Sequence, residues 1–262
     1  MRAARLPRRQ RSARGFTLAE LAIATAIIGL LLGGMFMTLS TQIEIRQISE
    51  TQKTLEQARE ALIGFVLANG RLPCPAAPAA AGAGAGTESP AVVTGTCDYK
   101  WTGFLPGTTL GIAPVDAQGY VLDAWGHRIR YAVTDKITGA CGTPCFTTAS
   151  MVRTEFQNAT LAPDLAVCST STGMTNVGTA TAACAVGSEL TTNAIAVIFS
   201  RGKNALIAGG TGADEARNAD TDRAFVWHEK VDPGAANGEY DDIMIWLSPN
   251  TLYVRMASAG VL

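Results

Sequence analysis

The chain carries an uncharged run of 19 residues, Leu21 to Leu39, close to its N-terminus. That is near the roughly 20 residues an α-helix needs to cross the hydrocarbon core of a bilayer. The residues before it have the opposite character. Arg2, Arg5, Arg8, Arg9, Arg11 and Arg14 fall within the first 15 positions, without a single acid. Arginines on that side hold the N-terminal end in the cytoplasm by the positive-inside rule, which sends the rest of the chain outward. A secretory signal also begins with basic residues, but its apolar core is shorter and a small-residue cleavage site follows it. Here no Ala-x-Ala-like site follows the run, and the small residue, Gly15, stands before it.

Charge divides along the same line. The whole chain has 21 basic and 22 acidic residues; without the six leader arginines 15 basic face 22 acidic, a balance of −7. A chain without a broad basic surface is poorly suited to holding nucleic acid by charge. Only 16% of residues are charged, against about 25% in average soluble domains, as expected when part of the chain lies in lipid. With two histidines, a His-rich metal enzyme fits poorly.

Glu20 sits just inside the apolar span, where an unpartnered carboxylate is costly, so it is a functional candidate. If the chain is cut after Gly15, Phe16 becomes the new N-terminus. Its ammonium on one subunit can then pair with Glu20 of a neighbour, taking both charges out of lipid together. The segment Arg14-Gly15-Phe16-Thr17-Leu18-Ala19-Glu20-Leu21 resembles the class III signal of type IV pilins and type II secretion pseudopilins. The resemblance implies cleavage after Gly15 by a membrane prepilin peptidase, with N-methylation of Phe16.

No proline interrupts Phe16 to Leu67, and Asn69-Gly70 supplies a helix stop. The sequence therefore predicts one helix of about 52 residues, roughly 78 Å long. Ile45, Ile48, Leu55, Ala58, Leu62, Phe65 and Val66 line one side of its second half. Gly29-x-x-x-Gly33 is a weak helix-packing pattern that also suits ordinary transmembrane glycines. The expected domains are a removable leader, 1–15; a transmembrane half-helix, 16–40; a periplasmic half-helix, 41–69; and a globular domain, 70–262.

Residues 73–96 are rich in proline, alanine and glycine and read as a loop. Strands are expected at His127–Val133, Ala194–Ser200 and Asp242–Leu247, and at Leu252–Met256, the last two joined by a Ser248-Pro249-Asn250-Thr251 turn. One long helix followed by strands implies an α+β, pilin-like fold with an antiparallel sheet on the helix. Asp123-Ala124-Trp125-Gly126, with the Ile129 and Tyr131 that follow, and Glu239-Tyr240-Asp241-Asp242-Ile243 are similar to segments of major-type pseudopilins. Trp125 is expected as a core or turn anchor and His127 as a solvated strand residue. A Thr-, Ser-, Ala- and Cys-rich insertion, about 140–192, departs from a compact pseudopilin and reads as surface elaboration.

Cys74, Cys97, Cys141, Cys145, Cys168 and Cys184 all follow the apolar run. An even number on the outward side points to disulfides formed in an oxidising compartment. Six cysteines admit fifteen connectivities, among which sequence proximity favours 74–97, 141–145 and 168–184. Zinc is the alternative, but there is no Cys-x-x-Cys pair and no nearby histidine.

Arg201 to Arg223 reads as a Gly-rich acidic loop between strands. Such oxygen-rich loops suit calcium, although Asp220-Thr221-Asp222 lacks the glycine and glutamate spacing of an EF-hand. The major pseudopilins that the chain resembles carry a calcium-stabilised loop in a similar place. Asp214, Asp220 and Asp222 are the candidate ligands, and a solvated loop is the alternative. Gly202-Lys203 lacks the rest of a phosphate-loop pattern.

The reading that follows is a prepilin, not an enzyme. Its mature form joins a type II secretion pseudopilus or a type IV pilus. It spans the inner membrane once, with its C-terminal domain in the periplasm. Implied partners are the prepilin peptidase, other pilin or pseudopilin subunits, the inner-membrane assembly platform, inner-membrane lipid and secreted cargo. The alternatives are a minor pilin with an adhesive or DNA-binding role, and a membrane-anchored periplasmic enzyme. No spacing in the sequence selects a nucleophile, base and orienting group for the last.

Overall fold

The computed structural model describes residues 15, 17–78, 84–90, 95–137, 141–158, 162–235 and 237–262; the side chains of 32–40 lie outside this description. A helix, α1, runs Leu18–Asn69. Its end is set by Gly70, at φ +67°, whose N–H donates to the Val66 carbonyl at 2.7 Å. Glycine takes this left-handed conformation without a Cβ penalty.

The chain divides into two compact units between Arg46 and Gln47. Residues 47–69 therefore belong with the globular body, and the expected boundaries at 40 and 69 do not coincide with this division. In the first unit Leu18, Leu21, Ile23, Ile27, Ile28, Leu30 and Leu31 are all exposed. Among the described residues, no helix is long and apolar enough to cross a membrane. The expected span, Leu21 to Leu39, includes positions whose side chains are not described.

The second unit is built in layers on the rest of α1. Thr51, Leu55, Ala58, Leu62 and Val66 are fully buried at helical spacing. They face a sheet of three strands, β1 (Arg130–Val133), β4 (Ala196–Ser200) and β6 (Ile243–Leu247), in the order β1-β4-β6 and antiparallel throughout. Ile45 and Ile48, expected on the same helix face, stay outside this core: Ile45 is exposed and Ile48 half-buried.

Alternation along the strands then builds the next layer. Tyr131, Val133, Ala196 and Ile198 pack toward α1, while Ala132, Val197 and Phe199 pack the other way. On that second side they meet Leu165, Val167 and Phe225 of another sheet, β3-β2-β5. Its strands are β2 (Leu165–Cys168), β3 (Glu189–Ala194) and β5 (Ala224–Val226); β2 pairs antiparallel with β3 and parallel with β5. Burial on both faces explains why Ala196–Ser200 is buried at every position. The chain passes from one sheet to the other at Ile195, whose N–H donates to Leu247 and whose carbonyl accepts from Thr134.

The expected insertion is therefore not mere surface elaboration. It supplies β2, the start of β3, and a helix, α3 (Met151–Asn158), after the one-turn α2 (Gly107–Leu110) earlier in the chain. The structure joins Cys74 to Cys97, Cys141 to Cys145 and Cys168 to Cys184, with Cα separations of 5.4, 5.5 and 5.4 Å. Another helix, α4 (Ala213–Asn218), interrupts the loop between β4 and β5.

Two strand expectations change. The first expected strand shortens to Arg130–Val133, because Asp123 Oδ1 accepts from the Trp125 and His127 N–H groups and holds a turn there. Trp125 is half-buried at that turn and outside the main core. His127 is not simply solvated; its Nδ1 lies 2.9 Å from the Gly202 carbonyl. The expected strand Leu252–Met256 is instead part of a helix, α5 (Pro249–Ser258). Ser248 caps it by accepting from the Thr251 N–H at 3.2 Å, and Pro249 fills the first turn, where no N–H is needed. Leu252 and Met256 are buried one helical turn apart while Val254 between them is exposed, whereas an alternating strand would put all three on one face.

Leu62→Ala removes a fully buried side chain at the centre of the α1–sheet contact. It is expected to cost about 2–5 kcal/mol in urea unfolding. The same substitution at exposed Ile45 is expected to leave the midpoint nearly unchanged.

Candidate functional site

The N-terminal signal begins with a local hydrogen-bonded device. The Thr17 N–H and Oγ1 both donate to Glu20 Oε2 at 2.9 Å, and the Glu20 N–H donates to Thr17 Oγ1 at 3.2 Å. This is a capping box, in which the threonine ahead of the helix and the glutamate three residues on satisfy each other's backbone donors. The pattern Thr-x-x-Glu in the sequence signals it. Among the described residues Glu20 Oε1 accepts no hydrogen bond, so the carboxylate keeps one oxygen for another donor. Gly15 is exposed, and a Cβ built on it meets nothing within 4 Å. Packing among the described residues thus places no demand for glycine there. Phe16 and Arg2 to Arg14 lie outside the described residues.

A second site lies in the globular body, where the loop after β4 meets the start of β6. Glu215, Asp241 and Asp242 bring one carboxylate oxygen each within 4.8 Å of one another. Glu215 is held by the Thr211 N–H at 2.7 Å, the Asp241 N–H at 3.0 Å and the Asn204 amide at 2.8 Å. Asp241 accepts from the Lys203 N–H at 3.0 Å, and Asp242 from the Asn218 amide at 2.7 Å. Gly202, at φ +58°, lets the loop come this close, since a Cβ there would collide with the Asp241 carboxylate.

The electrostatics of this nest are unbalanced. Burial, with the Glu215 and Asp241 charges, pushes Asp242 up to about 8. Burial and the Glu215 charge push Asp241 up to about 6. Burial also acts on Glu215, but its backbone and amide donors outweigh it and hold it below the usual carboxylate range. Three buried acceptor oxygens here, Asn204 Oδ1, Asp241 Oδ1 and Asp242 Oδ1, have no hydrogen-bond partner among the described residues. Orphaned buried oxygens among clustered carboxylates are the donor set a hard cation requires.

The expected calcium ligands are not the ones brought together. Asp214 accepts from the Ser171 N–H at 2.6 Å and faces His228 Nε2 at 3.2 Å. Asp222 accepts from the Gly178 and Ala224 N–H groups. Asp220 lies 3.5 Å from Arg217. These local contacts engage Asp214 and Asp222 where they stand, whereas buried Asp220 Oδ2 has no hydrogen-bond partner among the described residues. Glu215 sits in the loop that the sequence marked, whereas Asn204, Asp241 and Asp242 were not singled out as candidate cation ligands. The one available signal was the adjacent Asp241-Asp242 pair, which reads equally well as a turn before a strand.

His228 Nδ1 lies 2.7 Å from the Glu229 carbonyl and Nε2 faces Asp214. Both ring nitrogens are therefore engaged, one by a backbone carbonyl and one by a carboxylate. His127 likewise uses Nδ1 on a backbone carbonyl.

A family model described as the prokaryotic N-terminal methylation motif matches residues 10–36. The chain carries the class III signal of type IV pilins and pseudopilins. Such a signal supports a type IV pilin-like or pseudopilin precursor. It points to a structural subunit rather than an enzyme. No curated protein and no solved structure matches the chain.

Asp220 gives the body a pH signature. Burial, aided by the Asp222 charge, raises its pKa from 3.8 to about 6. A raised carboxyl binds its proton more tightly folded than unfolded. The stability it contributes is thus full below about pH 4 and lost as pH rises through about 6. Asp220→Asn is expected to raise the melting temperature near pH 7 and leave it unchanged near pH 4, in thermal melts with chelator present.

Proposed function

We propose that this chain is a prepilin, cleaved after Gly15, whose mature form is a structural subunit of a type II secretion pseudopilus or a type IV pilus. The observation that carries this reading is the methylation motif at residues 10–36. The row of exposed leucines and isoleucines from Leu18 to Leu31 supports it, because such a helix needs apolar cover from lipid first and from neighbouring subunits in the filament. The subunit crosses the inner membrane once and carries its body in the periplasm, where the three disulfides form.

In this reading Glu20 has two tasks. Oε2 caps its own helix. Oε1 receives the Phe16 ammonium of the adjacent subunit, which sets the register of one helix against the next. Glu20→Gln keeps the cap, since glutamine also completes a capping box, but removes the charge. It is expected to insert in the membrane and be cleaved like the parent, yet fail to enter filaments. Normal filament incorporation of Glu20→Gln would leave the residue only its capping role. Gly15→Val is expected to retain residues 1–15 in the intact mass and to be excluded from filaments.

We also propose that Glu215, Asp241 and Asp242, with Asn204 Oδ1, hold calcium. The orphaned oxygens and the raised aspartates support this assignment. A divalent cation would neutralise the nest and tie the loop after β4 to the start of β6. At roughly 100 times its Kd, calcium is expected to raise the melting temperature by about 5–10 °C. Asp242→Asn is expected to abolish that rise, and an equal rise in the variant would move the ion elsewhere.

A further inference from the structure

Arg130 and Arg201 are brought together by the sheet. Arg130 opens β1 opposite Phe199 of β4, and Arg201 follows directly after β4 ends, where its charge bears on Arg130. With Phe104, His127, Arg128 and Leu206 they line an open cleft of about 350 Å³. Arg128 is already balanced there, by Asp116 at 2.7 Å and Gln118 at 2.9 Å. The other two are not. Among the described residues, neither Arg130 nor Arg201 lies within 4.0 Å of a carboxylate.

Their hydrogen bonds go to neutral backbone instead. Arg130 donates to the Thr102 carbonyl at 2.6 Å and lies 4.8 Å from the centre of the Phe104 ring. Arg201 donates to the Ala205 and Ile207 carbonyls at 3.1 and 2.9 Å, and its buried Nε has no partner. Arg201 feels Asp242 only at a distance. Burial and the Arg201 charge both hold the Arg130 guanidinium below its usual range. Two like charges in a half-buried cleft, anchored by carbonyls that cannot neutralise them, are costly unless an anion completes the arrangement.

We propose that this cleft binds an oxyanion, a carboxylate or phosphate group carried on an apolar or aromatic body. Guanidinium forks match both groups through paired N–H donors. The Phe104 ring and the side chain of Leu206, which is 87% exposed at the rim, supply an apolar wall beside the charge. The volume suits a small molecule or one projecting group of a larger one. This site is separate from the N-terminal signal and from the acidic nest, and its test does not depend on the role of either.

The experiment is calorimetric titration of the full chain in detergent with inorganic phosphate, phenyl phosphate and benzoate, against chloride at equal ionic strength. Phenyl phosphate is expected to bind more tightly than inorganic phosphate because it adds the apolar contact. Comparison of benzoate with phenyl phosphate identifies which oxyanion the cleft prefers. Arg130→Gln and Arg201→Gln are each expected to weaken binding by about tenfold or more. Leu206→Asp, on the exposed rim where folding is not at stake, is expected to weaken it as well. Arg153→Gln, on the exposed side of α3, is expected to change nothing. No binding above chloride in the parent, or parental binding in Leu206→Asp and both glutamine variants, would overturn the assignment.

Discussion

The globular body depends on the packing of one helix face, Thr51 to Val66, against the antiparallel sheet β1-β4-β6. That contact buries one side of the sheet and leaves the other side equally apolar, so a second layer is obligatory. The β3-β2-β5 sheet meets this demand, and the Cys168–Cys184 disulfide lies in the cluster on its far side. Loops are then fixed by what the strands deliver to their ends. Ser200 to Asn204 continues from a fully buried strand, which places Gly202 against Asp241 and Asn204 against Glu215.

This arrangement concentrates charge at one end of the central sheet. Glu215, Asp241 and Asp242 collect negative charge where β4 leaves the sheet and β6 enters it. Arg130 and Arg201 collect positive charge nearby, around a cleft with an aromatic wall. Among the described residues the two clusters do not neutralise each other by direct ion pairs, and each keeps buried polar atoms without partners. A fold that over-determines its loops in this way holds such groups in place ahead of any ligand.

Much of the chain was legible in local pattern. Gly70 ends α1 where Asn69-Gly70 predicted it, and Leu55, Ala58, Leu62 and Val66 form the buried stripe that the spacing marked. The second helix of consequence, α5, was also written locally, in Ser248-Pro249 as cap and first turn. A short apolar segment after a turn-like tetrapeptide reads equally well as a strand, and only the exposure of Val254 between buried Leu252 and Met256 separates the two. The insertion misled for a different reason. Its Thr- and Ser-rich composition hides four buried residues, Leu165 to Cys168, whose partners lie in distant strands.

The sequence by itself determined the N-terminal signal, the helix and its cap at Thr17 and Glu20, because these rest on residues a few positions apart. Cysteine proximity likewise pointed to the pairs that the structure joins. Only the tertiary structure decided which carboxylates converge and which arginines face one another. Asp241 reaches Lys203, and Arg130 comes beside Arg201, through strand pairing that brings distant segments into register. Acidic residues such as Asp214, Asp220 and Asp222 look alike in the sequence, but the nearest backbone donors claimed them first. Long-range register, not residue type, selects the site.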